Sequence, residues 1–165
     1  MSVPDFYRGY IDNFQGDTLI KGMILSGDEA LDFYKSLGPG VYDFRYAKGK
    51  WSVREILGHI IDAERVFSYR ALRFARGDNT PLPGFDQDLW IPNMNIERRT
   101  MNYLVSEFAG LRASTVDLFS SFGEEVYGNV GTASGGEFTV EQVGKILVGH
   151  EIHHRKIIKE RYLNN

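Results

Sequence analysis

The sequence contains no cysteine, and this absence excludes several kinds of chemistry at once. Without a thiol, the chain can form no disulfide, offer no thiolate ligand to a metal ion and use no cysteine nucleophile. Any thiol chemistry at this protein therefore needs a thiol that arrives on a small molecule.

An excess of basic charge and a long apolar run are also missing. Nineteen Lys and Arg against 22 Asp and Glu give a net charge of -3, and no basic block stands out. Nucleic acid is therefore not expected as a partner. No apolar run approaches the roughly 20 residues of a membrane span, and the first ten residues lack the layout of a signal peptide. We expect a cytoplasmic protein with no membrane contact.

Helical periodicity is what the chain does contain, in four segments. The 165 residues, 42% of them hydrophobic and 25% charged, suit one globular domain. The predicted helices cover about 17–37, 52–75, 96–122 and 139–162, with a shorter amphipathic piece before the first. Four long helices predict an all-α four-helix bundle.

Two of the predicted helices have clear N-termini. Ser52 with Glu55, and Thr139 with Gln142, have the residue types and spacing of a capping box. A long, proline-containing connection joins the second and third helices, and its apolar residues indicate that it folds back on the bundle. No segment predicts a strand.

Three histidines lie where such a bundle can bring them together. His150 and His154 leave one face of the last helix about 6 Å apart, inside its apolar stripe. Buried imidazoles are unfavourable unless their nitrogens find partners, and a metal ion is one such partner. His59, at the edge of the apolar face of the second helix, would complete three imidazoles with an open position, as in catalytic zinc sites. Core histidines bonded to carbonyls are the alternative that spacing leaves open.

Other ionisable residues near these histidines have less certain roles. Glu64 projects from the apolar face of its helix, where it either accepts a hydrogen bond from a ligand histidine or pairs with an arginine. Arg70 either binds an anionic substrate or forms a salt bridge. His153 is expected at the rim as a non-ligand, with proton transfer as its alternative. Glu151 and Arg155 are expected to be surface charges.

The segment 51–67, WSVREILGHIIDAERVF, resembles the DinB-like family, also called the YfiT-like metal-dependent hydrolases. The similarity continues through YRAL at 69–72, RGD at 76–78 and PLPGFDQD at 81–88, and closes with GHEIHHR at 149–155. In that family one histidine on the second helix and a His-x-x-x-His pair on the last form the metal triad. His59, His150 and His154 match it position by position.

The resemblance implies a divalent-metal protein, with zinc or nickel ahead of iron, acting on a small-molecule substrate. Characterised relatives in the wider superfamily work with low-molecular-weight thiols such as bacillithiol. We therefore expect a metal-dependent thiol S-transferase or a hydrolase-type enzyme. The alternative is a non-catalytic, stress-associated bundle protein that binds metal. The resemblance is also compatible with a homodimer, and it leaves the 86–90 loop as either a lid or a structural clasp.

Overall fold

Four long helices dominate the computed structural model, which describes residues 3–163. They are α2 (Leu19–Ser36), α3 (Val53–Ala75), α5 (Met101–Ser120) and α6 (Val140–Tyr162), and two shorter helices accompany them, α1 (Asp5–Asn13) and α4 (Gln87–Trp90). Helices α2 and α3 each pack against both α5 and α6. The predicted four-helix bundle is confirmed.

The two capping boxes begin α3 and α6 as predicted. Ser52 Oγ accepts from the Glu55 backbone N–H at 3.2 Å, while the Glu55 carboxylate accepts from the Ser52 N–H at 2.6 Å. Thr139 and Gln142 make the same exchange at 3.1 and 2.9 Å. These bonds satisfy N–H groups that the first turn of a helix leaves free. The N-termini of the two helices that carry the histidines are therefore fixed locally.

The predicted third helix began too early. Ile96–Arg98 forms a separate 3-10 turn, and Asn95 before it has a left-handed backbone with φ of 51°. Helix α5 starts only after Thr100, whose side chain accepts from the Tyr103 N–H at 3.2 Å. Apolar spacing runs across this break, and the periodicity alone could not show it.

A small antiparallel hairpin, β1 (Val130–Ala133) and β2 (Gly136–Thr139), leads into α6. No strand was predicted from the sequence, and that prediction is wrong here. Ser134 and Gly135, between the strands, have φ of 51° and 77°, as in the tight two-residue turns of hairpins. Strands of four residues that contain glycine show little alternation of apolar and polar residues. The Ser-Gly-Gly turn was the sequence signal that could have predicted this hairpin.

The connection between α3 and α5 is attached to this hairpin. Leu82 donates its backbone N–H to the Thr132 carbonyl at 2.9 Å and accepts from the Ser134 N–H at 3.1 Å. Farther along, Ile91 is buried. The connection thus returns to the bundle as expected. None of the helices within residues 3–163 combines the length and the apolarity that crossing a bilayer requires.

Helix α1 lies along α6, and one glycine permits that approach. A Cβ atom at Gly149 would stand 1.7 Å from the carbonyl oxygen of Tyr10. The neighbour is backbone and cannot turn aside as a side chain could. Gly149 immediately precedes His150, so the docking of α1 and the position of that histidine depend on the same contact.

Gly149→Ala is expected to lower the free energy of unfolding by about 2 kcal/mol or more, because overpacking against a fixed neighbour displaces α1. Urea unfolding followed by circular dichroism measures the change. Gly110→Ala is the matched control, since Gly110 is helical and a Cβ there meets nothing within 4 Å. The free energy of unfolding of this control should rise by up to about 1 kcal/mol. Equal stabilisation of both variants would contradict the predicted clash.

Candidate metal centre

Three histidine side chains from α3 and α6 meet at one point. The Nε2 atom of His150 lies 3.0 Å from that of His59 and 3.1 Å from that of His154. One ligand nitrogen from each ring falls within 4.8 Å of the others. His59 and His150 are buried and His154 is partly buried. The structure therefore brings together the three residues that the sequence predicted as a triad.

The triad has the spacing and chemistry of a metal site. Two nitrogens that bind one ion at about 2.1 Å lie roughly 3.0 to 3.4 Å apart for right-angled to tetrahedral arrangements. The separations of 3.0 and 3.1 Å fall in that range. A neutral imidazole has one N–H and one lone pair, so three nitrogens that face one another cannot all be satisfied by hydrogen bonds among themselves. A divalent ion would satisfy all three.

The environment keeps the three rings neutral. Burial lowers the pKa of His59 to about 4. Burial also lowers the pKa of His150 well below its ordinary value, and the neighbouring histidines add to that effect. The pKa of His154 is lowered well below its ordinary value for the same reasons. Neutral imidazoles have the lone pairs that metal ligation needs.

Aromatic rings surround the triad and limit how its imidazoles can turn. The Trp51 ring centre lies 5.0 Å from that of His59. Tyr10 meets His150 edge-on at 5.2 Å, and Phe67 lies 5.9 Å from the same ring. These rings were not predicted as part of the site from the sequence, because they come from α1, the loop before α3 and a distant turn of α3.

A cavity of about 370 Å³ opens on the three histidines. Its wall is mostly aromatic, and no Asp or Glu lines it within the described range 3–163. Besides the triad, the lining residues are Phe6, Tyr7, Tyr10, Trp51, Phe67, Gly84, Phe85, Gln87 and Ser134. Apolar pockets with a few polar groups at one point are the usual form of small-molecule sites.

A second cavity, of about 240 Å³, borders the site at His154. It shares Trp51 and His154 with the first. Its wall is more polar, because Lys50 and Asp88 line it together with Tyr46 and Tyr162. His154 of the triad thus lines two chambers of different character.

Comparison with known families identifies the chain. The sequence profile of the DinB superfamily matches residues 25–158, well over half of the length. The chain belongs to the DinB superfamily. The resemblance seen in the sequence is thereby confirmed, and all three histidines of the triad lie inside the matched region.

Two relatives illustrate what this DinB-superfamily chain is similar to. A protein of Oceanobacillus iheyensis, which carries the provisional name of a metal-dependent hydrolase, is 30% identical over 129 residues, or 73% of this chain and 69% of the relative. YfiT from Bacillus subtilis, provisionally described as a metal-dependent hydrolase with an unusual four-helix bundle topology, superposes with a TM-score of 0.68. It is 15% identical, covering 96% of this chain and 87% of YfiT. At that identity the likeness shows the fold.

Glu64 does not contact the histidines of this DinB-superfamily chain. Its carboxylate accepts from Nε and Nη2 of Arg112 on α5, at 2.9 and 2.8 Å. Both side chains are buried. Of the two roles predicted for Glu64, the structure shows the ion pair with an arginine.

The prediction that Glu151 and Arg155 are surface charges was wrong. Both are buried, and Arg155 Nε donates to Glu151 at 3.1 Å. Glu151 also accepts from Ser26 Oγ of α2 at 3.0 Å, and Arg155 pairs with Glu29 of α2 at 2.9 Å. Charged residues are usually exposed, but α2 covers this side of α6.

Arg70 and His153 lie near the site without joining the triad. Arg70 is buried and donates to the Pro83 carbonyl and to Ser134 Oγ, both at 2.9 Å. His153 is partly buried, and its ring centre lies 5.3 Å from those of His154 and Tyr10. Its place outside the three-nitrogen group agrees with its expected position at the rim.

The loop that contains α4 borders both cavities. The Asp86 side chain accepts from the N–H groups of Asp88 and Leu89 and so caps α4. Gln87 lines the aromatic cavity, and Asp88 lines the polar one. This placement is compatible with either a lid or a clasp, the two roles that the sequence left open.

Proposed function

We propose that this DinB-superfamily chain is a divalent-metal enzyme that transfers a low-molecular-weight thiol to a small electrophile. His59, His150 and His154 would hold the ion. The observation that carries the proposal is the convergence of three imidazole nitrogens on the wall of a cavity large enough for a small molecule. Structural zinc sites are closed by four protein ligands, whereas catalytic sites keep a position open. An accessible triad of three ligands therefore favours catalysis over a purely structural ion.

Thiol transfer is favoured over hydrolysis by what lines the cavity. A bound divalent ion would lower the pKa of a thiol or a water at its open position. Hydrolysis usually also needs a positioned acid or base, and the aromatic cavity has no carboxylate among its lining residues in the part of the chain described. A thiol that has lost its proton is already a strong nucleophile. Thiol transfer therefore depends less on a positioned acid or base.

Two chambers also support a reaction between two molecules. Trp51 and His154 line both of them. The polar chamber, with Lys50 and Asp88, suits a charged hydrophilic thiol. The aromatic chamber suits an electrophile with an apolar body, and its rings would exclude water that competes with the thiol.

Three expectations that come with the resemblance stay predictions. The ion is expected to be zinc or nickel, with iron next, because an all-imidazole site suits each of them. The thiol is expected to be one such as bacillithiol. A homodimer is expected as well, and light scattering after size-exclusion chromatography tests it.

His154→Ala is expected to abolish metal-dependent thiol transfer, because it removes a ligand that faces both chambers. The assay follows conjugation of bacillithiol, cysteine or glutathione to monochlorobimane by protein loaded with zinc or nickel. Hydrolysis of p-nitrophenyl acetate is measured in parallel. His153→Ala, the neighbouring histidine outside the triad, is the control and should keep the activity. A rate unchanged in His154→Ala would remove the proposal, and hydrolysis without thiol transfer would replace it by the hydrolase function.

A further inference from the structure

One buried arginine lacks the carboxylate partner that the other two have. Among residues 3–163, three arginines are almost fully buried: Arg70, Arg112 and Arg155. Arg112 pairs with Glu64, and Arg155 pairs with Glu151. No Asp or Glu of the described residues lies within ion-pair distance of Arg70. Its charge is therefore not neutralised within that part of the protein.

The guanidinium of Arg70 is held in place, but only one of its three nitrogens is hydrogen-bonded within the described residues. Both of its hydrogen bonds, to the Pro83 carbonyl and to Ser134 Oγ, come from the same nitrogen, Nη2. The other two nitrogens make no bond to residues 3–163 and remain for a ligand. The rings of Phe67 and Phe85 flank the group, each with its centre 5.9 Å from the guanidinium carbon. The side chain is thus oriented before any ligand binds.

These contacts place Arg70 directly behind the wall of the aromatic cavity, since it is not itself a lining residue. Phe67, Phe85 and Ser134, which it contacts, all line that cavity together with the triad. The centre of the Phe67 ring lies 5.9 Å from the Arg70 guanidinium carbon and 5.9 Å from the centre of the His150 ring. Phe67 is therefore a close neighbour of both the cation and a histidine of the triad.

We propose that Arg70 recognises the carboxylate, or a similar oxyanion, of a small molecule bound in the aromatic cavity. A buried charge without a counter-charge is unfavourable, and an anionic ligand would supply that charge. Arginine suits this role because its planar fork can hold a carboxylate by two parallel hydrogen bonds. One consequence rests on the proposed function. If the protein transfers a thiol to an electrophile, that electrophile is an anion with an apolar, aromatic-sized body.

The test compares benzoate with benzamide, which has the same ring and no charge. Binding to the full chain as purified is measured by isothermal titration, and the metal content of each sample is recorded. The wild type is expected to prefer benzoate by at least about tenfold, because hydrogen bonds between charged groups are the strongest ones available. Arg70→Gln should lose the preference. Arg76→Gln, at the C-cap of the same helix and with the same change in charge, should keep it.

Each outcome decides the proposal. Equal binding of the two compounds by the wild type, or a preference kept in Arg70→Gln, overturns it. If Arg70→Gln does not fold, nitrogen-15 spectra of the wild type replace it: benzoate, but not benzamide, should shift the Arg70 Nε–H signal, assigned with Arg70→Lys. An unmoved signal overturns the proposal. A benzoate preference in protein that neither holds nor takes up zinc or nickel supports the role of Arg70 and removes the proposed metal enzyme. Metal-dependent thiol transfer without a benzoate preference supports the enzyme and removes the role of Arg70.

Discussion

His150→Ala is expected to weaken the binding of a divalent ion by more than about 100-fold. Substitutions of residues that merely orient a ligand already reduce affinity by about 10- to 100-fold, and His150 would be a ligand itself. Its Nε2 atom is also the one that lies within 3.1 Å of both other triad nitrogens. The variant removes the centre of the cluster rather than its edge.

Metal analysis of protein purified without a histidine tag measures this effect. The wild type should hold about one ion per chain, and His150→Ala should hold almost none. His153→Ala is the matched control, because its imidazole lies outside the three-nitrogen group. Metal-free wild type that also fails to take up zinc or nickel would mean that the three histidines are core residues.

Glu64→Gln is expected to lower the free energy of unfolding by about 3 to 5 kcal/mol, because it leaves a buried guanidinium without its counter-charge. The side chains of Glu64 and Arg112 are 2% and 5% exposed, so water cannot replace the lost partner. Arg112 also donates to the Met23 carbonyl of α2 at 3.1 Å. The pair therefore joins α2, α3 and α5.

A double variant separates the unpaired charge from the lost packing. Glu64→Leu combined with Arg112→Met removes both charges and keeps apolar volume, and replacements of this kind are often neutral or stabilising. It should be more stable than Glu64→Gln in urea unfolding. A double variant that is less stable than Glu64→Gln would contradict this. It would show that the Glu64–Arg112 ion pair stabilises the bundle more than apolar side chains in the same place do.

The buried charges also bear on the site through α6. Glu151 and Arg155 follow His150 and His154 by one residue each, and they bond to Ser26 and Glu29 of α2. One side of α6 is thus fixed to α2 by polar contacts, while the adjacent side presents the histidines to α3. Rotation of α6 would break both sets of contacts, so the buried charges help to fix the direction in which the histidines point.

Much of this protein was determined by local sequence. The starts of α3 and α6 follow from capping boxes, since those bonds form between residues three apart. The pairing of His150 with His154 follows from helical spacing. The position of His59 on its helix made it a candidate for the same site, and the family motif assigned it there, because no local rule relates residues on different helices.

Only the tertiary structure decided which faces of the helices are covered. Glu151 and Arg155 look like surface charges along α6, yet α2 buries them. Arg70 had two open roles, and only the packing of Phe67, Phe85 and Ser134 around it shows a cation without a carboxylate. The physical reason is the same in each case: the spacing of residues fixes which way a side chain leaves its own helix, whereas its partners come from segments distant in sequence.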